Sequence, residues 1–434
     1  MQNAVTGTPP LVRDFEEATY TKVTLRLIPF LFFCYVFAYL DRVNVGFAKL
    51  QMLSDLKFTE SVYGLGAGIF FIGYFVFEVP SNIALHRFGA RKWIARIMIS
   101  WGAISACMMF VTTPTSFYLL RFLLGVAEAG FFPGIILYLT YWYPSARRAK
   151  ITALFMTGIP IAGVIGGPLS GWILNRFNNV NGMPGWQWLF LIEAIPSIIA
   201  GFLVLVYLND KIGDATWLTS VEKSLLEKNV ADGEKNVESH SVFGAFKNKK
   251  VWVLCACYFG IIMGLYGISF WLPSLIKASG VTDALDIGLL SMIPYGVAAI
   301  TMVLMGRNSD RLAERRWHVA IPAVIGAIGL IVSTFYPHST VLAVLALTVA
   351  TAGIFSALSQ FWSIPPAFLG GAAAAAGIAL INSVGNLAGF VSTYIVGWIK
   401  ELTQSTDIGL YVIADSLVIA AAIVLTMPKT VVNK

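Results

Sequence analysis

The sequence predicts an all-α integral membrane protein with twelve transmembrane helices in two pseudo-symmetric halves of six. Three observations lead to this fold class: the composition, a series of apolar runs of helical length, and short motifs that repeat half a chain apart. Of the 434 residues, 57% are hydrophobic and 12% are charged, and the mean hydropathy is +0.75. A soluble domain has about 45–50% apolar and about 25% charged residues, so a soluble enzyme, a disordered chain and a fibrous protein are excluded.

Twelve apolar runs are long enough to cross a bilayer as helices, which need about 20 residues each. None shows the alternation over about ten residues that is typical of outer-membrane strands. Helices also satisfy their backbone hydrogen bonds internally, as a hydrocarbon environment requires. The predicted spans are 25–45, 62–85, 93–112, 116–141, 150–175, 187–208, 251–276, 286–306, 317–336, 341–362, 371–398 and 408–427.

Lysine and arginine residues orient these spans. Of the 30 basic residues, 23 fall on the side that holds both termini and the longest loop, six fall on the other side, and Arg121 lies within the fourth span. The positive-inside rule then places both termini in the cytoplasm, and we expect a multi-pass protein of the inner (plasma) membrane. The net charge of +7 is therefore a signal of topology, and it does not indicate nucleic-acid binding.

One long polar segment divides the chain in two. The predicted parts are a cytoplasmic N-terminal tail, a six-helix half, a cytoplasmic central loop, a second six-helix half and a cytoplasmic C-terminal tail, at 1–24, 25–208, 209–250, 251–427 and 428–434. We expect the chain to act as a monomer.

The two halves repeat short motifs in corresponding loops and spans. The motif Asn-x3-His-Arg at 82–87 parallels Gly-x3-Asp-Arg at 306–311, whose acid lies 224 residues after His86. Gly171-Trp172 likewise parallels Gly397-Trp398, 226 residues later. Internal repeats of this kind are typical of transporters, in which a binding site lies between the repeats.

Four charged side chains lie where charge is costly: Asp41 and Arg42 in the first span, Arg121 and Glu128 in the fourth. Such residues usually mark a transport pathway or a proton relay. Arg121 and Glu128 share one helix face, roughly 10 Å apart along its axis. Two arginines can hold an organic anion, and two buried acids can carry protons. The alternative is structural: Asp41 pairs with Arg42 or Arg121, and Glu128 bonds another helix.

Three further acids lie within the spans. Glu78 is at the cytoplasmic end of the second span, where we predict a gate or a structural contact. Glu193 and Asp415 have no second charge beside them in sequence, so we interpret both as structural.

Several uncharged polar side chains also lie within the spans. Tyr74 belongs to a glycine-spaced stretch of the second span that allows close helix approach. Ser359 and Trp362 end the tenth span, and Asn382 and Asn386 share one face of the eleventh. These groups either contact a substrate hydroxyl or carboxylate, or bond neighbouring helices.

The sequence lacks the patterns of a membrane-embedded enzyme. It has no His-x3-His cluster, no pair of Asp-rich motifs and no nucleophile with a paired histidine in or beside a span. The four cysteines fall inside apolar runs, where they are interpreted as small buried hydrophobic residues. We therefore predict neither enzymatic activity nor a metal site. A sensor is also disfavoured, since the central loop is too short to hold an added signalling domain.

Together, these motifs resemble the major facilitator superfamily and, within it, the anion:cation symporter family. The resemblance spans the chain outside its tail and central loop. It rests on Leu40-Asp41-Arg42-Val43-Asn44-Val45-Gly46-Phe47-Ala48, Glu78-Val79-Pro80-Ser81-Asn82, Arg121-Phe122-Leu123-Leu124-Gly125-x2-Glu128-Ala129, Phe270-Trp271-Leu272-Pro273 and Gly306-x3-Asp310-Arg311.

This resemblance implies proton-coupled uptake of a small organic anion by alternating access, with the proton as coupling ion and no other cofactor. The substrates implied are sugar acids, hydroxy-dicarboxylates such as tartrate, and aromatic carboxylates. It also implies that Arg42 binds the substrate carboxylate and that Arg121 supports the site. Asp41 and Glu128 are implied as proton carriers, and the implied pocket is completed by Tyr74, Ser359, Trp362 and Asn382.

The resemblance also implies a cytoplasmic gate, formed by Arg87, Arg91, Asp310 and Arg311. This sequence departs from the family pattern at His86, which replaces the acid of the first motif, so pairing with that acid must be weaker or rerouted. Two other transport functions stay open: proton-driven efflux and anion exchange. Efflux of a cationic compound predicts a site with acids and without arginines, so Arg42 and Arg121 argue against it.

Overall fold

A computed structural model describes residues 10–234, 247–369 and 373–433 of the chain. Within these residues, twelve helical segments are long and apolar enough to cross a membrane, which confirms the predicted all-α fold class and the number of spans. The segments are Arg13–Leu56, Glu60–Phe88, Ala90–Phe110, Pro114–Thr140, Leu154–Arg176, Gly185–Tyr207, Lys249–Ala278, Ala284–Leu312, Arg316–Thr334, Thr340–Pro366, Gly377–Thr403 and Asp407–Thr426.

Several spans consist of more than one helix. The N-terminal half contains α1 (Pro10–Val43), α2 (Val45–Leu56), α3 (Glu60–Phe88), α4 (Ala90–Cys107), α5 (Pro114–Glu128), α6 (Phe131–Thr140), α7 (Ser145–Met156), α8 (Gly158–Arg176) and α9 (Gly185–Tyr207). A central helix, α10 (Ser220–Glu234), follows. The C-terminal half contains α11 (Lys249–Ala278), α12 (Ala284–Leu312), α13 (Arg316–Thr334), α14 (Thr340–Phe361), α15 (Ile364–Leu369), α16 (Ala373–Thr403), α17 (Asp407–Thr426) and α18 (Lys429–Val432).

The first helix begins earlier than the apolar run from which it was predicted. The predicted tail, 1–24, is helical from Pro10 onward, and residues 1–9 lie outside the described residues. This early part of α1 is held by Arg147, whose Nη2 lies 3.3 Å from a Glu16 oxygen and 2.6 Å from a Glu17 oxygen. A hydropathy pattern cannot detect a polar extension that is stabilised by tertiary contacts.

The fourth span is split directly after Glu128. Between α5 and α6, Gly130 adopts a left-handed backbone conformation with φ +85°. Glycine is favoured here because residues with a Cβ rarely adopt this conformation, and a Cβ would also clash with Ser81. An acid that was predicted to carry protons therefore lies at a break in a membrane helix.

The two halves meet through backbone at two helix pairs, α3 with α16 and α8 with α12. A Cβ on Gly64 would lie 2.7 Å from the Thr393 carbonyl oxygen, and one on Gly167 would lie 2.6 Å from the Gly288 carbonyl oxygen. Both distances are too short for any side chain, so these positions require glycine. This packing confirms the close helix approach predicted for the glycine-spaced stretch of the second span.

Because the number of spans is even, the first and last described residues lie at one end of the bundle. We call it the terminal end, and the other the opposite end. The central helix α10 lies at the terminal end and is capped by reciprocal hydrogen bonds between Thr219 and Glu222. Glu222 also binds Lys22 at 2.9 Å, and this ammonium holds the pKa of Glu222 below its usual range. The central segment is therefore attached to the N-terminal half. Its residues 235–246 lie outside the described part of the chain.

Candidate functional site

The middle of the bundle contains a buried ion pair between Arg42 and Glu128. Arg42 lies in the last turn of α1, where the helix dipole favours a cation, and Glu128 ends α5. Arg42 Nε donates to Glu128 Oε1 at 3.1 Å, and Nη2 contacts the same oxygen. The two side chains are 7% and 1% exposed, so water screens their attraction only weakly.

Arg42 also contacts the C-terminal half. Its Nη1 donates to the hydroxyl of Tyr266, in α11, at 2.8 Å. The ring of Tyr74, from α3, lies 5.5 Å from the same guanidinium, so this predicted site residue is brought to Arg42. Tyr266 was missed from sequence because it is one aromatic residue among many in an apolar span. Arg42 is thus sensitive to the relative position of the two halves.

Arg121 is fully buried and is held by backbone. Its guanidinium donates to the carbonyl oxygens of Gly66 at 3.3 Å, Ala67 at 3.2 Å and Arg42 at 3.4 Å. In the described part of the chain it forms no salt bridge with a carboxylate. Both guanidinium groups lie near the ring of Phe70, at 5.1 Å for Arg121 and 5.4 Å for Arg42. The site therefore contains two guanidinium groups and one carboxylate, which is bonded to Arg42.

Asp41 lies next to Arg42 in sequence but faces a different environment. Its carboxyl accepts hydrogen bonds from Trp101 Nε1 and Ser105 Oγ in α4, both at 3.0 Å, and from Ser197 Oγ in α9. In the predicted structural alternative, the pairing of Asp41 with Arg42 or Arg121 is therefore wrong, whereas the bond from Glu128 to another helix is present as its pair with Arg42. Adjacent helical residues point about 100° apart, which accounts for the separation. Across the described residues, no group of three or more His, Cys, Asp or Glu side chains could hold a metal ion.

A second polar contact joins the halves through Glu78. Its carboxyl is buried and accepts hydrogen bonds from Asn382 Nδ2 at 2.9 Å and Ser383 Oγ at 2.8 Å, both in α16. Asn382 was predicted to contact substrate, and Glu78 was predicted to be a gate or structural contact. The structure joins the two residues. Ser383 carried no separate signal in the sequence.

Ser359 lies in the last turn of α14, and Trp362 directly follows this helix. Ser359 Oγ donates to the Ser356 carbonyl at 2.9 Å. The Trp362 ring packs edge-on against Tyr258 of α11, with centroids 4.9 Å apart. Among the described contacts, none joins Ser359 or Trp362 to Arg42, so their predicted role in binding stays a prediction.

Two of the predicted gate residues at the terminal end, Arg91 and Asp310, bond within their own halves. Arg91 donates its backbone N–H to Asp210 at 2.8 Å, and Asp310 pairs with Arg315 at 2.6 Å. The Arg87 guanidinium lies 5.6 Å from the Phe88 ring, and Arg311 takes part in none of the described ion pairs. No described ion pair among these residues joins the two halves, and the gate stays a prediction.

A charged cluster joins the halves at the opposite end instead. Glu60 of α3 binds Lys49 of α2 and Lys400 of α16, each at 2.6 Å, and the Lys49 ammonium lies 3.6 Å from the centre of the Trp271 ring in α11. We call these four residues the latch. From sequence, Lys49 and Lys400 were counted only as basic residues outside the membrane. Nothing in the sequence indicated that one acid bridges them.

We expect Glu60→Gln to open the latch. The substitution leaves two nearby ammonium groups without their shared carboxylate, and breaking a pair with a buried partner costs about 3 kcal/mol. Spin labels at Ser54→Cys and Thr403→Cys, both exposed at the opposite end, report the distance between halves. Exposed Cys107 is first replaced by serine. The variant should show a longer distance distribution.

The matched control for this experiment is Glu222→Gln. It removes an acid that also binds a lysine but does not connect the two halves. Its distance distribution should match that of the unsubstituted protein. If Glu60→Gln, Glu222→Gln and the unsubstituted protein all give the same distance distribution, the latch does not hold the opposite end closed.

Comparisons with known proteins agree with this architecture. The sequence model of the Major Facilitator Superfamily matches residues 31–393. A Pseudomonas putida protein named for metabolite transport, NicT, is 50% identical over 420 residues, covering 96% of each chain. An Agrobacterium vitis protein named for tartrate transport is 47% identical over 422 residues, covering 97% of this chain and 93% of its own.

The fold also matches a solved transporter structure. A bacterial homologue of the human lysosomal transporter Spinster aligns with a TM-score of 0.73 and 16% identity, covering 96% of this chain and 97% of that one. Because these relatives are transporters, they confirm the prediction of a transporter and not an enzyme. The matched residues cover most of the chain, which therefore belongs to the Major Facilitator Superfamily.

Proposed function

We propose that the protein takes up a small organic anion together with protons, by alternating access across the inner membrane, with both termini in the cytoplasm. The observation that carries this proposal is the buried Arg42–Glu128 pair beside Arg121. Arg42 is bonded to a carboxylate that can be protonated, and Arg121 beside it is bonded to backbone carbonyls. A substrate carboxylate is the natural second partner, because guanidinium matches it in charge and shape.

The pair also supplies a mechanism for coupling. Glu128 and a substrate carboxylate compete for Arg42, so protonation of Glu128 releases the guanidinium for the substrate. An unpaired buried charge is strongly unfavourable, and substrate binding therefore favours the protonated acid. By linkage, a proton on Glu128 favours substrate binding by the same factor. Asp41, which no cation holds, is the second proton carrier in this scheme.

The surrounding groups support a polar substrate. Tyr74 and Tyr266 place hydroxyl groups near Arg42, and the bonds from Asn382 to Glu78 can be exchanged for bonds to substrate hydroxyl groups. Sugar acids and hydroxy-dicarboxylates fit such a site, and the relative named for tartrate transport supports this class. Aromatic carboxylates also fit, since the rings of Phe70, Phe71 and Tyr266 lie beside the arginines.

In this scheme the structure is closed to the outside. The latch and the glycine contacts hold the two halves together at the opposite end. Toward the terminal end, the Glu78 contact with Asn382 and Ser383 bounds the site, while the described gate residues bond within their own halves. Opening to the cytoplasm then requires separation of the Glu78 contact, and opening outward requires separation of the latch.

The proposal is tested by uptake into proteoliposomes containing the purified protein. A panel of labelled tartrate, sugar acids and benzoates is presented with an imposed pH gradient, alkaline inside. We expect accumulation above equilibrium of at least one class, abolished by a protonophore. For one proton per electroneutral cycle, one pH unit supports about tenfold accumulation.

The same preparation separates the other transport functions. An anion exchanger would show counterflow that an imposed pH gradient does not alter. An efflux protein would drive substrate toward the acidic side. Either result, or no response of any carboxylate to the gradient, would overturn proton-coupled uptake.

A further inference from the structure

Another buried acid, Glu193 of α9, has no part in the proposed mechanism. Its side chain is buried, and Oε1 accepts a hydrogen bond from Ser170 Oγ of α8 at 2.6 Å. Among the described residues, Oε2 has no hydrogen-bond partner. An acceptor left unpaired in a buried position is costly, so this carboxyl needs a proton or a bound water.

Glu193 and the hydrogen-bond donor of Asp41 lie on one face of α9. Ser197, which donates to Asp41, lies one turn after Glu193, about 6 Å along the helix axis. Asn44, at the junction of α1 and α2, lies about one turn after Asp41 and places its amide beside the Glu193 carboxyl. Neither amide atom of Asn44 has a hydrogen-bond partner among the described residues, although the side chain is buried.

A small cavity lies at the interface between the halves, near Glu193. It has a volume of about 20 Å³, enough for about one water molecule. Asn44 and Ser170, which flank Glu193, line it from the N-terminal half, and Ser269, Ser291 and Tyr295 face them from the C-terminal half. Most of its wall is apolar, and neither Glu193 nor Asp41 lines it. Ser170, which also bonds Glu193, therefore connects this acid to the cavity.

Among the described charged groups on the helices packed against α9, Asp41 is the one that acts electrostatically on Glu193. The other charged groups bond or lie elsewhere. On α1 and α2, Arg42 binds Glu128, Lys49 belongs to the latch, and Asp55 accepts from Trp186 Nε1 near the start of α9. On α4, Arg91 binds the Leu205 carbonyl at the far end of α9. On α8, Ser170 faces Glu193, and Arg176 lies at the end of the helix.

We infer that Glu193 is the acid that loads Asp41 with protons from the interface between the halves. When the halves separate at the opposite end, water reaches Ser170, and a hydronium ion there gives up one proton, which passes through the Ser170 hydroxyl to the Glu193 carboxylate and leaves a water molecule behind. That proton then passes to the Asp41 carboxylate, and the pair keeps one negative charge before and after the transfer. This inference rests on the proposed proton coupling, and it makes Glu193 a relay residue that never contacts the substrate.

The test is infrared difference spectroscopy on the purified full-length protein, taken from alkaline to acidic pH. Glu193→Gln should remove one C=O band of a protonated carboxyl, and Asp41→Asn should remove another. The matched control Asp415→Asn removes an exposed acid of α17 and should leave both bands. Ser170→Ala is a second probe, since loss of the hydrogen bond should shift the Glu193 band without removing it. A Glu193→Gln spectrum identical to that of the unsubstituted protein would overturn the inference.

A transport measurement separates this failure from failure of the proposed function. In proteoliposomes, the change in uptake rate with external pH should be about ten times smaller in Glu193→Gln than in the unsubstituted protein. Counterflow should be retained. If the unsubstituted protein accumulates anion with protons and Glu193→Gln keeps the same pH profile, only the role of Glu193 is overturned. If the unsubstituted protein shows no proton-driven accumulation, proton coupling itself is overturned.

Discussion

Glu128→Gln should abolish proton-driven accumulation of the substrate while leaving exchange across the membrane. Glutamine is neutral at every pH, so it mimics the protonated acid and leaves Arg42 free for the substrate carboxylate. The carrier can then bind anion and change conformation, but the pH gradient no longer acts on it. The accumulation ratio should fall from about tenfold per pH unit to about one. Proteoliposome uptake with an imposed gradient, followed by counterflow of labelled substrate, measures both quantities.

The informative control is Glu128→Asp, which keeps a titratable group on a shorter side chain. It should retain accumulation with an altered rate, because the carboxylate can still compete for Arg42 at a longer distance. Persistent accumulation in Glu128→Gln would assign the coupling to another acid. Loss of both accumulation and counterflow would instead show that the Arg42–Glu128 contact is needed for the conformational change.

Arg42→Ala should cause the largest loss of substrate affinity. It removes the guanidinium that the substrate carboxylate is proposed to take from Glu128, and it leaves that acid buried without its partner. The loss of two charge-assisted hydrogen bonds is worth about 3 kcal/mol, or about a 100-fold increase in Kd. Thermal-shift titration against a panel of carboxylates provides the measurement, since a bound ligand stabilises the folded protein by an amount that grows with the logarithm of the ratio of ligand concentration to Kd and so raises Tm.

Two lysine variants separate the effect of positive charge on substrate affinity from the effects of guanidinium geometry and of protein stability. Arg42→Lys keeps the charge but loses the bidentate geometry, so its affinity for the substrate should lie between those of the unsubstituted protein and Arg42→Ala. Arg121→Lys tests the second arginine, which is bonded to three backbone carbonyls. Its main effect should be a lower Tm without ligand. Unchanged affinity in Arg42→Ala would exclude Arg42 as the carboxylate-binding group.

Composition and charge placement were sufficient to predict the membrane architecture. Spans depend on local hydropathy over about 20 residues, and the two-halves arrangement was visible in the repeated motifs. The polar start of α1 was not predicted, because its contacts with Arg147 join residues far apart in the chain. Helix ends of this kind depend on tertiary packing, which a local pattern does not contain.

The residues of the site were predicted better than their partners. Arg42, Arg121, Glu128 and Asp41 stand out because charge is rare in spans. The direction of each side chain depends on helix rotation, and a small rotation decides whether Asp41 meets Arg42 or Trp101. Neutral partners such as Tyr266, Ser197 and Ser383 carry no compositional signal, because serine and tyrosine are common in membrane helices.

The glycine pairs between the halves have a further consequence. Gly167 meets the Gly288 carbonyl with no side chain between them, but one turn earlier in α8 the Tyr295 ring of the other half occupies the space beside Gly163. Rocking of the halves can pivot on the glycine contact, whereas sliding must move this ring out of its recess. The contact therefore acts as a pivot that favours rocking over sliding. The polar contacts between the halves, at both ends and in the middle of the bundle, then contribute to the relative free energies of the conformations.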